Sequence, residues 1–394
     1  MDRSVPSTRE LAMKLDLADE LARWREQFVI RDPELVYLDG NSLGRTPKRT
    51  LERMREVLTE EWGSGLIRSW ARWLDMPQRV GDRLAPLLGA RPGEVVVHDS
   101  TSINLYQLVH GALAMREERG AGRRRGIAVA ENEFPSDRYV VDGIAEATGC
   151  TVHHGFDRLE EAAVVVRSLV DYRTSEVADL AVETARARAA GAMVVWDLSH
   201  AAGVLEIDLA AAGVELAVGC TYKYLNGGPG APAFSYVATE IQGAIRQPIQ
   251  GWFGQEEQFA MGPAYRPRVG ITRLLVGTPS ILALTAAEAG IELAAEAGIG
   301  AIAAKAAALT AYGMDLCDRF GLATATPREA HRRGGHVAVV HPEARALTAA
   351  LARRKVIVDF REPDIVRFGM SPLTTRFIDV CEGLTVLAEL AAGR

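Results

Sequence analysis

Short, almost entirely apolar stretches recur through the middle of this 394-residue chain and alternate with segments of helical spacing. Strands that are apolar on both faces are typical of parallel sheets that helices cover on both sides. The stretches lie at residues 95–97, 126–129, 164–166, 192–196 and 216–218. This pattern predicts an α/β fold with a mostly parallel central sheet flanked by helices.

The pattern changes near both ends of the chain. Residues 8–28 and the segment from Pro47 to about Trp62 have helical spacing, and so do the alanine-rich stretches 283–311 and 344–352. Apolar stretches at 336–340, 356–358 and 365–368 then predict a smaller α+β domain. We expect an N-terminal segment, 1–55, packed near this small domain, a large domain over 56–282, and the small C-terminal domain over 283–394. Between Val152 and Val164 there is room for only a single helical turn.

Composition excludes several classes of protein. The net charge of -6 argues against a nucleic-acid partner or an anionic membrane surface, and we expect the triplet Arg123-Arg124-Arg125 to be a solvated loop. The four cysteines have no C-x-x-C spacing, so we expect no metal site and no disulfide framework. With neither a signal peptide nor a membrane-length apolar run, the expected location is the cytoplasm.

An aspartate and a lysine stand at the ends of two neighbouring apolar stretches. Asp197 closes the stretch at 192–196, and Lys223 follows 26 residues later, between Tyr222 and Tyr224 and before a glycine-rich turn. Pyridoxal 5′-phosphate (PLP) needs such a pair, because an aspartate keeps its ring nitrogen protonated while a lysine bonds to its aldehyde. An exposed loop lysine is the alternative, but the flanking apolar strand favours a partly buried amine with a lowered pKa.

Two further groups follow the predicted strands. Thr101 and Ser102 open a helix, where free backbone N–H groups can bind a phosphate. Phe134 could stack on a flat ring that Asp137 supports. Each of these is also explained as an ordinary helix start, since Ser, Thr and Asp favour that position.

The chain resembles the kynureninase family, a group of fold-type I PLP enzymes, over nearly its whole length. The run Tyr222-Lys223-Tyr224-Leu225-Asn226-Gly227-Gly228-Pro229-Gly230 is the most specific part of this resemblance. The matching segments are 37–44, 61–70, 99–105, 134–137, 196–234, 247–248, 251–254, 361–363 and 367–369.

The resemblance implies roles for individual residues. Lys223 would bind the cofactor aldehyde and move protons, Asp197 would pair with the ring nitrogen, and Tyr222 would be a proton donor. The implied cofactor-binding residues are Thr101, Ser102, Phe134, Asp137, Ser168, Asp197, His200, Tyr222, Lys223, Trp252 and Thr278, of which Thr101, Ser102, Ser168, Tyr222, Trp252 and Thr278 would hold the phosphate. The implied substrate-binding residues are Arg367, Asn41, Ser42 and Gln255. Arg367 would form a bidentate pair with the substrate α-carboxylate.

The implied reaction is hydrolytic Cβ–Cγ cleavage of kynurenine to anthranilate and alanine, a step of tryptophan catabolism. Trp252 and Thr278 would come from a neighbouring subunit, which implies a homodimer with its active sites at the subunit interface. The chain departs from the family at Gln255, where histidine is usual, at Thr374, where tyrosine is usual, and in the segment 171–175. A ring-substituted kynurenine in a biosynthetic route is therefore an alternative substrate.

Two other classes of function remain open from sequence. A cysteine desulfurase or an aminotransferase of the same fold is a rival enzyme, although Cys317 and Cys381 lie in helical patterns rather than in a flexible loop. A non-catalytic protein that keeps the fold is the second, although a binding module has no need of Lys223.

Overall fold

A computed structural model describes residues 7–118 and 125–393 of the chain. Residues 1–6, at the start of the predicted N-terminal segment, and Arg123 and Arg124 of the basic triplet lie outside the described residues. The helices are α1 Thr8–Leu17, α2 Lys48–Glu56, α3 Trp70–Trp73, α4 Met76–Leu84, α5 Thr101–Glu118, α6 Pro135–Thr148, α7 Leu180–Ala189, α8 Thr239–Gln242, α9 Ile281–Ala297, α10 Ile299–Phe320, α11 Ala344–Arg353 and α12 Phe377–Ala391. The strands are β1 Val36–Tyr37, β2 Val95–His98, β3 Gly126–Val129, β4 Thr151–His154, β5 Ala162–Ser168, β6 Met193–Asp197, β7 Leu216–Gly219, β8 Ala233–Val237, β9 His336–Val340, β10 Val356–Ile357, β11 Asp359–Arg361 and β12 Ile365–Gly369.

The central sheet has seven strands in the order β2-β8-β7-β6-β5-β3-β4. The pairs from β7 to β4 are parallel, and β8 runs antiparallel to both of its neighbours. Strands β2, β3, β6 and β7 are buried along their whole length, as their apolar sequences require. The predicted α/β fold with a mostly parallel sheet is confirmed. Strand β8 was not predicted.

The short connection after β4 contains a single 3₁₀ turn, Leu159–Glu161, and leads to β5. Strand β3 lies between β4 and β5 and is parallel to both. The prediction of one helical turn in this crossover is confirmed.

A second, smaller sheet lies in the C-terminal part of the chain. Strands β11, β12 and β9 pair antiparallel in that order, and their apolar side chains share a core with α10, α11 and α12. The N-terminal segment joins this core, because β1 pairs with β10 and Ala12 of α1 is buried in it. Asp16 also accepts hydrogen bonds from the first backbone N–H groups of α12, at 2.7 Å from Phe377 and 3.0 Å from Ile378. The domain boundaries themselves stay a prediction.

Two predicted helices are shorter than expected. The helix predicted over 8–28 ends at Leu17, and a 3₁₀ turn, Ala22–Gln27, follows. Just beyond this end, the Asp19 carboxylate forms a buried ion pair with Lys305 of α10 at 2.6 Å. The alanine-rich stretch 283–311 is divided between α9 and α10 at Gly298, whose φ of 86° does not fit a right-handed helix.

No single helix among the described residues combines the length and apolar character needed to cross a membrane. Helices α9 and α10 meet that condition only when counted together, and they are bent by 84° at their junction.

Candidate active site

Lys223 lies in the turn that follows β7, with its side chain buried. Its Nζ is 3.3 Å from Nε2 and 3.5 Å from Nδ1 of His200, and 6.0 Å from the centre of the Phe134 ring. Gly44 holds this turn from the other side, since its N–H donates to the Tyr222 carbonyl at 2.9 Å. A Cβ on Gly44 would overlap the Lys223 carbonyl and the Asn226 side chain, so this position requires glycine. The segment 37–44 therefore contacts the lysine turn directly.

Three buried carboxyl groups lie at the carboxyl ends of neighbouring strands. Asp197 ends β6, Asp137 lies in the first turn of α6, and Glu133 lies just before α6. Burial raises the pKa of Asp137 well above its usual range, and the charges of Asp197 and Glu133 raise it further. Burial also raises the pKa of Glu133. The positive charge of Lys223 has the opposite effect on the pKa of Asp137 but does not outweigh burial and the neighbouring carboxylates.

This cluster fits the predicted cofactor. No donor among the described residues reaches the buried Oδ2 atom of Asp137, whose carboxyl group lies against that of Asp197. A protonated ring nitrogen beside Asp197 would supply the missing positive charge and hydrogen bond. The amine of Lys223 faces an imidazole and two aromatic rings, those of Phe134 and Tyr222, where it could meet an aldehyde.

Glu133 is a site residue that sequence reasoning missed. Its Oε1 accepts hydrogen bonds from the Phe134 N–H at 2.9 Å and from Ser168 Oγ, and its Oε2 accepts from the Ser168 N–H at 2.7 Å. Ser168 is paired with Asp197 in the sheet. The structure therefore brings Ser168 to the carboxylates, and its predicted phosphate contact stays a prediction.

Thr101 and Ser102 are the first residues of α5, which packs against β5, β7 and β8. The turn before the helix is fixed by His98, whose ring bonds at 3.0 Å to both Asp99 and Ser235. The first N–H groups of a helix have no partner within it and can bind an anion. The phosphate contact of Thr101 and Ser102 stays a prediction that this helix N-terminus suits.

The rings of Phe134 and Tyr222 both lie near the lysine amine, with their centres 6.0 and 5.7 Å from Nζ. The Phe134 ring meets Tyr172 edge to face, with the ring centres 5.1 Å apart, and this contact fixes its orientation. Burial raises the pKa of Tyr222, so its phenol remains protonated at neutral pH. Burial and the charges of Lys223 and Arg367 lower the pKa of His200 well below its usual range, so its imidazole is neutral.

Arg367 is fully buried on β12 and is held by several groups at once. Its Nε donates to Asp359 Oδ1 at 2.7 Å, its Nη1 to the Tyr172 carbonyl at 2.5 Å, and its Nη2 to Ser42 Oγ at 3.3 Å and to Asp359 Oδ2. With its amide oriented to satisfy both partners, Asn41 accepts from the same guanidinium at 3.1 and 3.2 Å. The predicted substrate residues Asn41, Ser42 and Arg367 thus lie together.

Asp359 is a partner of Arg367 that the sequence did not predict. Burial raises its pKa, but the hydrogen bonds and charges of Arg367 and Arg361 outweigh burial and hold the pKa below its usual range. The ionised carboxylate covers the Nε edge of Arg367. A bidentate pair with a substrate carboxylate would therefore use the Nη1 and Nη2 edge, in exchange for the present bonds of Nη1 to Tyr172 and of Nη2 to Ser42.

Three of the predicted site residues make no contact with Lys223 among the described residues of a single chain. They are Trp252, Thr278 and Gln255. Trp252 packs against Phe253 and Phe259, with ring centres 4.7 and 6.0 Å away, and Thr278 is exposed. Gln255 uses its amide to bind Arg266 N at 2.6 Å and the Ala264 carbonyl at 3.3 Å, so within this chain it holds a loop together. Thr374, the other departure from the family, is buried in a turn closed by its N–H bond to the Ser371 carbonyl.

Comparisons with known proteins agree with this arrangement. Residues 302–387 match the family model of the kynureninase C-terminal domain. A kynureninase of Pseudomonas fluorescens is 43% identical over 98% of this chain and 95% of its own length. One of Burkholderia pseudomallei (strain 1106a) is 42% identical over 97% of this chain and 95% of its own.

Solved structures show the same fold. A cysteine desulfurase from Thermococcus onnurineus NA1 has a TM-score of 0.80 at 20% identity and covers 95% of this chain and 98% of its own. A variant of C-DES, with glycine covalently linked to its PLP cofactor, has a TM-score of 0.79 at 17% identity and covers 93% of this chain and 99% of its own. Identity at this level establishes the fold alone, whereas the full-length relatives establish the family. This chain belongs to the kynureninase family.

Proposed function

We propose that this chain hydrolyses the Cβ–Cγ bond of L-kynurenine and releases anthranilate and L-alanine, with PLP as its cofactor. The observation that carries this proposal is the 43% identity to a kynureninase over 98% of the chain. The convergence of Lys223, Asp197 and Arg367 on one site supports it.

When bound, PLP supplies an electron sink for the pair left by a proton that departs from the substrate α-carbon. Asp197 would hold the proton of the ring nitrogen, and Phe134 would cover the ring face. Thr101 and Ser102, together with the backbone N–H groups at the N-terminus of α5, would bind the phosphate. The position of Phe134 near Lys223 and of Thr101 and Ser102 at the start of α5 supports these roles.

The remaining steps are proton transfers and substrate binding by this chain's own groups. Arg367 would anchor the α-carboxylate through its Nη1 and Nη2 edge, assisted by Ser42 and Asn41. Lys223 Nζ would move the proton at Cα. Water adds to the Cγ carbonyl carbon, and the Cβ–Cγ bond breaks with its electron pair on Cβ. The protonated phenol of Tyr222 would give Cβ its proton, and Lys223 would return a proton to Cα, which completes alanine.

A homodimer is the assembly we propose. Four large apolar side chains, Leu58, Trp62, Leu66 and Ile67, are 42–74% exposed on one short segment. Beside them lies a mainly apolar cavity of about 430 Å³, lined by Val57, Trp62, Trp73 and residues 279–283. An exposed apolar patch of this kind is typical of an interface between subunits. Thr278 directly precedes residues 279–283 of this cavity lining. That position suits a contribution of Thr278 to the site of a neighbouring subunit.

The four cysteines are unpaired, which supports our proposal of a cytoplasmic location. Their placement also disfavours a desulfurase, because Cys317 and Cys381 are buried in α10 and α12 and not on a loop. None of the described residues favours a ring-substituted substrate, so we propose L-kynurenine itself.

The test is product identification with purified protein and added PLP. L-kynurenine should yield equal amounts of anthranilate, detected by fluorescence, and L-alanine, detected by mass spectrometry. Lys223→Ala should lose both products and the visible absorbance band of the lysine-bound cofactor. Preferred turnover of 3-hydroxykynurenine would contradict the substrate, a keto-acid product would favour an aminotransferase, and an active Lys223→Ala variant would contradict the mechanism.

A further inference from the structure

His98 is a buried histidine at the end of β2 whose ring has a partner at each nitrogen. Its Nδ1 lies 3.0 Å from Oδ2 of Asp99, and its Nε2 lies 3.0 Å from Oγ of Ser235. An ionised carboxylate only accepts hydrogen bonds, so the Nδ1–H group donates to Asp99, whether Nε2 is protonated or accepts from the serine hydroxyl. The Asp99 carboxylate is therefore tied back to the strand that it follows.

The neighbouring strand fixes this imidazole. His98 pairs with Ala233 of the antiparallel strand β8, so Ser235, two residues further along, lies on the same face of the sheet. The Ser235 side chain is fully buried. The ring therefore cannot turn away from Asp99 without breaking a buried hydrogen bond, which is costly.

The backbone of the turn between β2 and α5 has further hydrogen bonds of its own. The Asn104 amide donates to the His98 carbonyl at 3.1 Å, and the Ala233 N–H donates to the Asp99 carbonyl at 3.0 Å. Asp99 has a φ of 41°, in the left-handed region that aspartate enters more readily than most residues. Loss of the imidazole would therefore release the Asp99 side chain while these backbone bonds remain.

A released carboxylate at this position would have donors within reach. Aspartate side chains accept hydrogen bonds from backbone N–H groups two or three residues further on, which makes aspartate one of the best residues at a helix start. For Asp99 these are the N–H groups of Thr101 and Ser102, where we propose that the cofactor phosphate binds. In the described part of the chain neither N–H group has a protein acceptor, and the Ile103 N–H has only Ser100 Oγ at 3.5 Å. The start of α5 is thus open to an anion while the adjacent carboxylate is engaged elsewhere.

We propose that His98 is a positioning residue that holds the Asp99 carboxylate off the first N–H groups of α5 and keeps them free for the cofactor phosphate. A carboxylate and a phosphate both bind at helix N-termini, so one would exclude the other. This inference rests on the proposed function only in taking PLP as the cofactor and the start of α5 as its phosphate site. It is independent of the bond that is cleaved.

The experiment measures the dissociation constants of PLP and of pyridoxal, which has no phosphate, by fluorescence titration of the full-length protein after removal of PLP. In His98→Leu the released carboxylate should compete with the phosphate. PLP should then bind about fivefold to thirtyfold more weakly, the factor that corresponds to displacing a capping side chain. Pyridoxal should bind as it does to wild type. His98→Asn keeps an N–H donor close to the position of Nδ1 and should stay within about twofold of wild type for both ligands.

A second substitution separates competition by the carboxylate from damage to the fold. Asp99→Gly removes the carboxylate, and glycine adopts a φ of 41° without strain. Asp99→Gly alone should not weaken PLP binding. In the double variant His98→Leu/Asp99→Gly, the PLP dissociation constant should return to within about twofold of that of Asp99→Gly. A double variant that binds PLP as weakly as His98→Leu would show a purely structural role of His98 and would overturn the proposal.

Tyr236→Phe is the matched control for a general loss of stability. Tyr236 is buried on β8 and donates to the Val214 carbonyl at 3.2 Å, but it pairs with Val95, at the far end of β2 from His98. This variant loses a buried hydrogen bond and should leave both dissociation constants unchanged. Should His98→Leu fail to fold, His98→Phe takes its place in the single and the double variant.

The proposed function and this inference fail in different ways. Equal weakening of PLP and pyridoxal binding in His98→Leu, or unchanged binding of both, would overturn the role of His98 and leave the proposed function standing. A protein that shows the selective loss of PLP affinity and its rescue by Asp99→Gly, but does not cleave kynurenine, would refute the proposed function and leave this inference standing.

Discussion

Asp359 and Arg367 form a buried ion pair in which the guanidinium Nε donates to Asp359 Oδ1 at 2.7 Å. Arg367 is fully buried and the Asp359 side chain is 16% exposed. The two residues come from neighbouring strands, β11 and β12, whose register places them directly opposite each other. The predicted anchor for a substrate carboxylate thus has a built-in carboxylate partner that fixes its orientation.

Removing this partner should destabilise the protein. In Asp359→Asn the buried guanidinium loses its counter-charge, and we expect the free energy of unfolding to fall by about 3 kcal/mol. Urea unfolding followed by circular dichroism measures this. Glu362→Gln is the matched control, since Glu362 pairs with Arg345 on the surface and exposed pairs contribute at most about 1 kcal/mol. Equal losses in the two variants would show that Asp359 does not balance the Arg367 charge.

Gly44 provides a test of the contact between the N-terminal segment and the lysine turn. In Gly44→Ala the new methyl group would overlap the Lys223 carbonyl and lie 2.8 Å from Asn226 Cα. We expect a loss of about 1–3 kcal/mol in stability, the usual cost of overpacking, and weaker PLP binding because the turn must move. Fluorescence titration with PLP measures the second effect. Gly243→Ala, where a Cβ meets nothing within 4 Å, should change neither, and unaltered PLP binding in Gly44→Ala would contradict the predicted displacement.

The sequence predicts correctly those features that depend on a short run of neighbouring residues. The apolar stretches at 126–129 and 336–340 have the same bounds as β3 and β9, because a strand buried on both faces must be apolar throughout. Asp197 and Lys223 were found because each follows such a stretch. Parallel strands bring their carboxyl ends to one edge of the sheet, so their proximity follows from the fold.

The features that the sequence did not predict depend on contacts between residues that are far apart in the chain. Asp359 lies on β11 opposite Arg367 on β12, and a single sequence does not show which strand pairs with which, or in what register. Glu133 looks like any residue before a helix until the fold brings Ser168 to it. Strand β8 was missed because Ser235 interrupts its apolar pattern, and that serine is buried against His98.

Asp39 should make stability depend on pH. Burial and the charge of Asp359 raise its pKa from 3.8 to about 6, so the folded state keeps a proton that the unfolded state has lost. The unfolding free energy of wild type should therefore fall as the pH rises from about 4 to about 6. In Asp39→Asn the contribution of residue 39 to this fall should be absent. The difference in unfolding free energy between the two should grow by up to about 3 kcal/mol, at 1.4 kcal/mol per unit of pKa shift. Urea unfolding at a series of pH values measures it, with Asp142→Asn on the exposed face of α6 as control. A constant difference across this range would show that the pKa of Asp39 is not raised.

Trp252 should act in the site of the neighbouring subunit. Lys223→Ala alone should be inactive, and Trp252→Ala should bind PLP weakly and lose most of its activity. If the two residues come from different subunits, a mixed dimer has one site that carries both substitutions and one that carries neither. Random reassortment makes half of the dimers mixed, so unfolding and refolding the two variants together should restore roughly a quarter of wild-type activity. Refolding each variant alone is the control. No recovery in the mixture, with mixed dimers detected by native mass spectrometry, would place Trp252 in the site of its own subunit, where it packs against Phe253.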